Sequence, residues 1–136
     1  MREIIYRGKR IDNGKWVYGG VYRVHTVETQ FNPTETKKFN YWIIGEDGKT
    51  NLINKDTIGQ FTGLCDKNGT KIWEHDILRG YRNNDSIVYW HEEQVGFDVK
   101  YLRNEPCSYV FDKHSAALCE IVGNKFDNPE LLEVTK

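Results

Sequence analysis

Two short segments of this chain place a histidine beside carboxylates, which are side-chain types that bind transition metals. The segments are Glu74-His75-Asp76 and His91-Glu92-Glu93. Because successive side chains of a strand point to opposite faces, neighbours within one segment do not converge on one ion. A site would need His75 and His91 to meet across two strands, and nothing in their spacing indicates that they do. We therefore expect no metal site and no cofactor.

A second group of residues has the types needed for nucleophilic catalysis, in which a nucleophile, a base and an orienting group are in contact. Ser108, Ser115 and Cys119 lie near His114 in the chain. Their spacing is not diagnostic, and the sequence contains neither a GxSxG motif nor a glycine-rich phosphate loop. We expect a protein that is not an enzyme.

Aromatic and basic side chains lie close together in the second half of the chain. Lys71 alternates with Trp73, and Arg79 is followed by Tyr81 and Arg82. Small β-barrels hold nucleic acids with such residues on strand faces and loops. The alternative is that Trp73 belongs to the core and the arginines are solvated charges. The candidate binding residues are Trp73, His75, Arg79, Tyr81 and Arg82.

The charge balance of the 136 residues bears on the class of partner. Lys and Arg number 19 and Asp and Glu number 20, so the net charge is -1. A dedicated nucleic-acid binder usually has a basic surface, because neutralising phosphates dominates its affinity. Nucleic-acid binding is therefore the alternative, and we expect a non-catalytic protein-interaction module, including self-association as a homo-oligomer. Such a module would use an aromatic groove or an edge strand, with tyrosines such as Tyr22, Tyr81 and Tyr101.

The cysteines and the N-terminus indicate the compartment. Cys65, Cys107 and Cys119 form no CxxC pair, and an odd number argues against a disulfide framework. Residues 1–7 carry charges and no apolar core of a signal peptide. No run approaches the roughly 18 apolar residues of a membrane span. We expect reduced, mostly buried thiols in a cytoplasmic protein that has no membrane contact.

The elements that position these residues are predicted to be strands. Hydrophobic residues make up 38% of the chain and aromatic residues 13%, which is enough for a core. Period-two alternation runs between tight turns at residues 12–14, 47–48 and 66–69, where Asn and Gly tolerate positive φ. Strands are predicted at residues 4–10, 16–24, 39–44, 87–91, 95–101 and 118–123, and residues 72–80 are predicted to be a strand or an irregular extended segment.

Three further segments have distinct signals. Trp16, Tyr18, Tyr22 and Val24 share one face of the second strand, and Gly19-Gly20 predicts a bulge or a close backbone approach. Residues 26–38 are polar and lack periodicity, which predicts a mobile loop. At the C-terminus Asn128 can cap a short helical turn that begins with Pro129.

Two motifs resemble the signatures of the YopX family of phage and prophage proteins. The central motif spans residues 60–78 and contains TGL, DKNG and WEHDI; the second spans residues 120–132, EIVGNKFDNPELL. Tyr6-Arg7-Gly8-Lys9-Arg10 fits more loosely. The family usually has glycine where this chain has His75. If the position requires a positive φ, His75 adopts it at a cost in free energy. If the family glycine instead allows close packing, His75 points outward.

The resemblance implies a mainly β fold, with an SH3-like small β-barrel in residues 59–136 and a β-rich N-terminal portion in residues 1–58. It also implies a phage or prophage setting, and hence an accessory role in a bacterial host cell, but no reaction. The central motif has a structural explanation in which Asp66, Asn68 and Gly69 make a turn and Asp76 accepts backbone N–H groups. The functional alternative is that residues 74–76 line a site.

Overall fold

The computed structural model describes residues 2–26, 38–80, 83–103 and 110–133. The chain is mainly β, as predicted, and its strands pair antiparallel in two sheets. Helix α1 covers Lys113–Ala116, and 3-10 turns cover Lys55–Thr57 and Pro129–Leu132. The strands are β1 (Tyr6–Lys9), β2 (Trp16–His25), β3 (Phe39–Ile44), β4 (Thr50–Ile53), β5 (Gly59–Cys65), β6 (Lys71–Trp73), β7 (Asp76–Arg79), β8 (Asp85–His91), β9 (Gly96–Tyr101) and β10 (Glu120–Asn124).

The chain divides into two compact units, which we call the N-terminal unit (residues 4–60) and the C-terminal unit (residues 1–3 and 61–136). In the N-terminal unit β4, β3, β2 and β1 are adjacent in that order, and β1 also pairs with the first residues of β5. Strand β2 changes partner along its length, because residues 16–19 pair with β1 and residues 20–25 pair with β3. The predicted turns at residues 12–14 and 47–48 are confirmed as the links between these strands.

The outer edge of β4 is engaged by the residues that follow β1. Arg10 forms a bridge with Ile53, and the Ile11 amide donates to the Leu52 carbonyl at 3.1 Å. An open edge strand invites pairing with another chain, because its backbone groups lack partners. This part of the β4 edge is already bonded within its own unit. One bridge does not make a continuous ladder, so the sheet is not closed into a barrel.

Two glycines show which face of the N-terminal sheet is packed. A Cβ at Gly8 would collide with the side chain of Ile53, and a Cβ at Gly19 would collide with the carbonyl of Ile44. Ile43 and Ile53 are fully buried. The close backbone approach predicted for Gly19-Gly20 is therefore confirmed at Gly19.

The C-terminal unit contains an antiparallel sheet in the order β10-β7-β8-β9, and the last residues of β5 pair with β6. A buried cluster holds this unit together, with half-buried Val99 and Ile121 packed against it. The cluster joins side chains of β6, β7 and β8 to the segment around α1. Its members are Ile72, Leu78, Val88, Ala116 and Cys119.

The four-stranded sheet of the C-terminal unit is open. Among the described residues β9 and β10 form its two edges and do not pair with each other. A barrel requires strands to tilt and stagger until the last pairs with the first. The SH3-like barrel expected in residues 59–136 is therefore not confirmed, whereas the mainly β fold is.

Several strand boundaries differ from the prediction for local reasons. Residues 72–80, predicted to be a strand or an irregular extended segment, contain two strands, β6 and β7, because the chain turns at Glu74 and His75. The predicted strand at residues 118–123 begins later, at Glu120. The C-terminal turn at Pro129–Leu132 is confirmed, but the Asn128 side chain makes no capping hydrogen bond to it.

Helix α1 was not predicted, although its start has a clear signal. The Asp112 carboxylate accepts the Ser115 amide at 2.9 Å, and the Ser115 hydroxyl accepts the Asp112 amide at 2.9 Å. This reciprocal pair is a capping box. Residues 27–37, which make up most of the predicted loop, and Cys107 lie outside the described residues. No helix in the described ranges is long and apolar enough to cross a membrane.

The two adjacent glycines of β2 should respond oppositely to alanine. Gly19→Ala places a Cβ on the Ile44 carbonyl, so we expect a loss of about 1–3 kcal/mol in the free energy of unfolding. Gly20 has no atom within 4 Å of a built Cβ, so Gly20→Ala should stabilise the protein by about 0.5–1 kcal/mol. Urea denaturation measures both, and equal effects would contradict this account of the strand.

Candidate functional site

The carboxylate of Asp66 organises the central motif. Asp66 is buried, and its Oδ1 accepts the amides of Asn68 and Thr70, both at 2.9 Å. Its Oδ2 accepts the amide of Ile121 in β10 at 3.1 Å. Gly69 completes the turn with a φ of 77°. The turn predicted at residues 66–69 is confirmed, and the same side chain attaches it to a strand far along the sequence.

Glu74 and His75 form the turn between β6 and β7, and Asp76 is the first residue of β7. The buried carboxylate of Asp76 accepts the amide of Trp73 at 2.8 Å, as the structural explanation predicted. His75 has a φ of 76°, its amide donates to the Val88 carbonyl at 2.9 Å, and its carbonyl accepts the Lys125 amide at 3.0 Å. Both backbone groups of His75 are thus engaged in the left-handed conformation. The position requires a positive φ, which decides between the two roles of glycine left open by the sequence.

The ring of His75 has partners of its own. It packs edge-on against Phe126, with ring centroids 5.2 Å apart, and its Nε2 lies 3.7 Å from a carboxylate oxygen of Glu74. Aromatic contacts of this kind contribute about 0.5–1.5 kcal/mol. The contact offsets part of the strain that a non-glycine residue meets at positive φ.

The second motif also holds backbone groups. The Asn124 side-chain oxygen accepts the amides of Phe126 and Asp127, each at 2.9 Å, and its amide group donates to the Asp127 carboxylate at 3.0 Å. A Cβ on Gly123 would lie within 3 Å of the Asn128 side chain. The buried polar residues Asp66, Asp76 and Asn124 of the two motifs are therefore engaged in forming turns.

The candidate binding residues of the second half lie in different surroundings. Trp73 is buried, with its ring 5.7 Å from that of Phe61, and His75 is engaged as described above. The guanidinium of Arg79 binds Asp85 with two hydrogen bonds of 2.9 and 3.0 Å, and this carboxylate raises the pKa of Arg79.

Two members of that candidate site, Tyr81 and Arg82, lie outside the described residues. The site as a whole stays a prediction, but Trp73 packs in the interior and Arg79 already has a carboxylate partner. No group of three or more His, Cys, Asp or Glu side chains in the described ranges is arranged to hold a metal ion.

The N-terminal unit presents a different candidate. Cross-strand partners share a face of a sheet, and β2 pairs Gly20 with Ile44 and Tyr22 with Trp42. The predicted common face of β2 therefore continues onto β3. We call this surface the aromatic face; its members are Trp16, Tyr18, Gly20, Tyr22, Val24, Trp42 and Ile44.

The aromatic face is partly open to solvent, with Trp16 and Trp42 half-buried. The exposed fraction is 43% for Tyr18, 38% for Tyr22, 47% for Val24 and 44% for Ile44. The opposite face of the same strands buries Ile43 completely. Large apolar side chains thus cluster on the outside of a sheet whose inner face is already packed.

Charge is confined to one end of the aromatic face. Cross-strand pairing places Lys9 opposite Trp16 and Arg7 opposite Tyr18. The guanidinium of Arg7, which is buried, lies 4.4 Å from the Trp16 ring centroid, and the Lys9 ammonium lies 5.3 Å from it. Cations stack on aromatic rings in this way. From Gly20 to Val24 the face carries no charged residue.

Gly20 leaves a gap within this face. It lies between Tyr18 and Tyr22 along β2 and opposite Ile44, it is exposed, and a built Cβ would have no neighbour within 4 Å. Sequence reasoning identified Tyr22 and the shared face but not the exposure of Ile44. The signal was present in β3, where both alternating sets of positions contain large apolar residues, so that one set must lie outside the core of the sheet.

The turn residue His75 can be tested with two small substitutions. His75→Gly should be more stable than His75→Ala by about 1 kcal/mol, because both lose the Phe126 contact but only glycine is unstrained at positive φ. Lys100, an exposed position inside β9, is the control, where alanine should be the more stable residue. Chemical denaturation gives the free energy of unfolding of the glycine and alanine variants at both positions. If the same residue is the more stable one at His75 and at Lys100, the backbone of His75 is not strained.

The burial of Asp66 predicts a larger effect than that of an ordinary turn aspartate. Asp66→Ala leaves three backbone N–H groups without their acceptor, so we expect a loss of about 2–4 kcal/mol in the free energy of unfolding. Asp47→Ala removes one exposed bond to the Lys49 amide and should cost about 0.5 kcal/mol. Losses of equal size would show that the link to β10 contributes nothing.

The chain was compared with known proteins. Among solved structures, it is similar to the crystal structure of protein EF1440 from Enterococcus faecalis, with a TM-score of 0.57, 23% identity, and coverage of 98% of this chain and 100% of that one. At this identity the likeness shows a shared fold alone. No curated protein matches the sequence. The family model described as YopX protein matches residues 5–133, nearly the whole chain. The chain therefore belongs to the YopX family.

Proposed function

We propose that this protein is a non-catalytic module that binds another protein through the aromatic face of its N-terminal unit. The observation that carries the proposal is the cluster of exposed apolar side chains around Tyr22 on a sheet whose other face is packed. Contiguous apolar patches on the surface mark interaction sites. Tyrosine and tryptophan are enriched in the centres of protein interfaces.

The motif residues of the C-terminal unit have structural roles, which supports a functional surface on the aromatic face instead. Asp66, Asp76 and Asn124 have polar atoms engaged in hydrogen bonds that hold turns. Side chains that hold the backbone in this way act in folding rather than in contact with a ligand. The proposal also does not require an SH3-like barrel, because the aromatic face lies on an open sheet.

Nucleic-acid binding has weaker support. Phosphates are bound by exposed cations, and they dominate the affinity of such complexes. Arg7 is buried against Trp16, and Arg79 is bonded to Asp85. From Gly20 to Val24 the aromatic face carries no charged residue. These observations favour a polypeptide partner over a polyanion.

Self-association through an edge strand has limited support as well. The described edge of β4 is bonded to residues that follow β1. In β9, the amide of Val99 donates to the carboxylate of Asp98 at 2.8 Å, so a group that could join a partner strand is already used. The face of the N-terminal sheet is the better candidate for an interface.

The family resemblance supports a proposed setting for this interaction. Because the signatures resemble those of phage and prophage proteins, we place the protein in the cytoplasm of a bacterial host, where it acts as an accessory factor. Its partner is then a host or phage protein. Affinity purification from host lysate, with and without nuclease, tests this setting and the class of partner together.

Substitutions on the aromatic face test whether this surface binds the partner. Tyr22→Thr with Ile44→Thr removes two exposed anchors and keeps residues that favour strands. Each interface anchor contributes on the order of 1–2 kcal/mol, so recovery of the partner should fall at least about tenfold. The matched control is Val110→Thr with Leu118→Thr, which changes two highly exposed apolar residues of the C-terminal unit. Recovery is quantified by mass spectrometry.

Two results would contradict the proposal. One is an equal loss of recovery in the control variant, which would mean that general surface hydrophobicity captures proteins. The other is that the captured material disappears with nuclease, which would favour nucleic-acid binding. Recovery of the same protein by the control but not by the face variant supports the proposal.

A further inference from the structure

We propose that the inner face of the N-terminal sheet binds a nucleoside monophosphate at the end that β2 and β3 form together. The phosphate is held by Arg23 and His25, and the base lies against Phe39 and Tyr41. This surface is on the opposite side of the sheet from the aromatic face, and the inference goes beyond the proposed protein interaction.

Four side chains continue the inner face of the sheet beyond the buried Ile43. Strand β2 pairs Arg23 with Tyr41 and His25 with Phe39, and cross-strand partners share a face. Tyr41 and Phe39 precede Ile43 by two and four residues, so the alternation of β3 places them on its side. Arg23 and His25 are exposed, and Phe39 and Tyr41 are half-buried. Basic and aromatic groups are therefore accessible together at this end.

The guanidinium of Arg23 is held by its flat surface. Its central carbon lies 4.2 Å from the ring centroid of Phe39, and the ring of His25 packs edge-on against the same ring at 5.3 Å. A guanidinium that stacks in this way keeps its N–H edge for an oxyanion, to which it donates two parallel hydrogen bonds. An imidazole ring adds a further N–H donor beside it.

The positive charge of Arg23 is not matched by a neighbouring carboxylate. Arg10 and Arg79 each donate two hydrogen bonds to an aspartate. Among the described residues Arg23 forms no ion pair, and the side of β2 and β3 on which it lies carries no acidic side chain. A polyanion requires a row of cations, whereas a single phosphate group can be held by one arginine and a neighbouring donor.

A cavity of about 350 Å³ lies beside the same aromatic rings, on the β4 side of β3. Phe39, Tyr41 and Ile53 form part of its wall, and Asn54 and Asp56 add polar groups. Small-molecule sites have volumes of about 300–1,000 Å³, apolar and aromatic walls and a few polar groups. The cavity is at the lower end of this range, so it suits one planar ring system stacked on an aromatic side chain.

The polar groups of the cavity favour a base over a phenyl ring. The Asn54 side-chain oxygen accepts the Asp56 amide at 3.1 Å, so the Asn54 amino group and the Asp56 carboxylate are left for a ligand. The edge of a nucleobase presents both acceptors and donors, whereas a phenyl ring has neither. Lys55 lies on the same wall and offsets the charge of Asp56. Adjacent strands are about 5 Å apart, so a base and a phosphate joined by a sugar reach from this cavity to Arg23.

The test titrates the full-length protein with adenosine monophosphate, inorganic phosphate, adenosine, O-phosphotyrosine and a fifteen-residue oligothymidylate. Calorimetry measures the affinities, and NMR follows the Nε–H signal of Arg23 and the amide signal of Phe39. Adenosine monophosphate should bind saturably and shift both signals. Its affinity should exceed that of inorganic phosphate or adenosine at least about tenfold, equivalent to 1.4 kcal/mol, because each of these makes only part of the contacts.

Arg23→Gln tests the phosphate contact, because it removes the charge at an exposed position. Affinity for adenosine monophosphate should fall at least about tenfold. The matched control is Arg103→Gln, the same change at an exposed arginine of the C-terminal unit, which should keep the wild-type affinity. The Tyr22→Thr, Ile44→Thr variant, altered on the opposite face, should also bind like the wild type. An unchanged amide spectrum away from the site shows that each variant is folded.

Several results would overturn the assignment. If adenosine monophosphate does not bind saturably, or binds no better than inorganic phosphate or adenosine, the site does not hold a base and a phosphate together. Equal or tighter binding of O-phosphotyrosine would assign the site to a phosphorylated side chain, and tighter binding of the oligothymidylate would assign it to nucleic acid. Equal weakening in Arg23→Gln and in Arg103→Gln would mean that overall charge attracts the ligand. The partner of the aromatic face is tested separately by the recovery from lysate.

Discussion

A strand shows its side chains to two faces in alternation, and only one face of a sheet can pack into the core of its own unit. In the N-terminal unit this constraint acts on β2 and β3, which have large apolar residues at both sets of positions. The complete burial of Ile43, together with the contact between Gly19 and the Ile44 carbonyl, selects the inner face. A slip of one residue would exchange the faces and expose Ile43. The exposed tyrosines of β2 are the consequence of that single register.

The C-terminal unit depends on a different kind of constraint. Buried polar groups of turns require partners, and buried carboxylates are stable only when they accept hydrogen bonds. Asp66 meets both requirements because it holds its own turn and the amide of Ile121 in β10. Asn124 does the same for the loop before the C-terminal 3-10 turn. In this chain the two motifs thus hold distant turns together through hydrogen bonds to the backbone.

The two units differ in where their polar and aromatic residues lie. The C-terminal unit devotes its polar motif residues to backbone bonds, and the N-terminal unit places aromatic residues on the outside of a paired strand. Strands hold such side chains more precisely than loops do, so an interface built on them loses little entropy on binding. Exposed apolar area is a liability for a protein without a partner. Its concentration on one face of β2 and β3, with the charges of Arg7 and Lys9 stacked at one end, is what an interaction surface requires.

The sequence by itself determined the class of fold, the family and the turns. Alternation of period two and the Asn-Gly and Asp-Gly pairs act over a few residues, so they can be read without knowing the rest of the chain. The capping pair Asp112 and Ser115 was equally local and was overlooked. The expected barrel was not confirmed, because closure depends on how the last strand meets the first, and no short segment encodes that.

Only the tertiary structure decided which residues face solvent and which are strained. Trp73 and Tyr22 have similar local patterns, yet Trp73 is buried and Tyr22 is exposed, because burial depends on what the rest of the chain places over each face. The left-handed backbone of His75 is held by Val88 and Lys125, which lie far away in sequence. Alternation specifies which side chains share a face, but packing between distant segments specifies which face is covered.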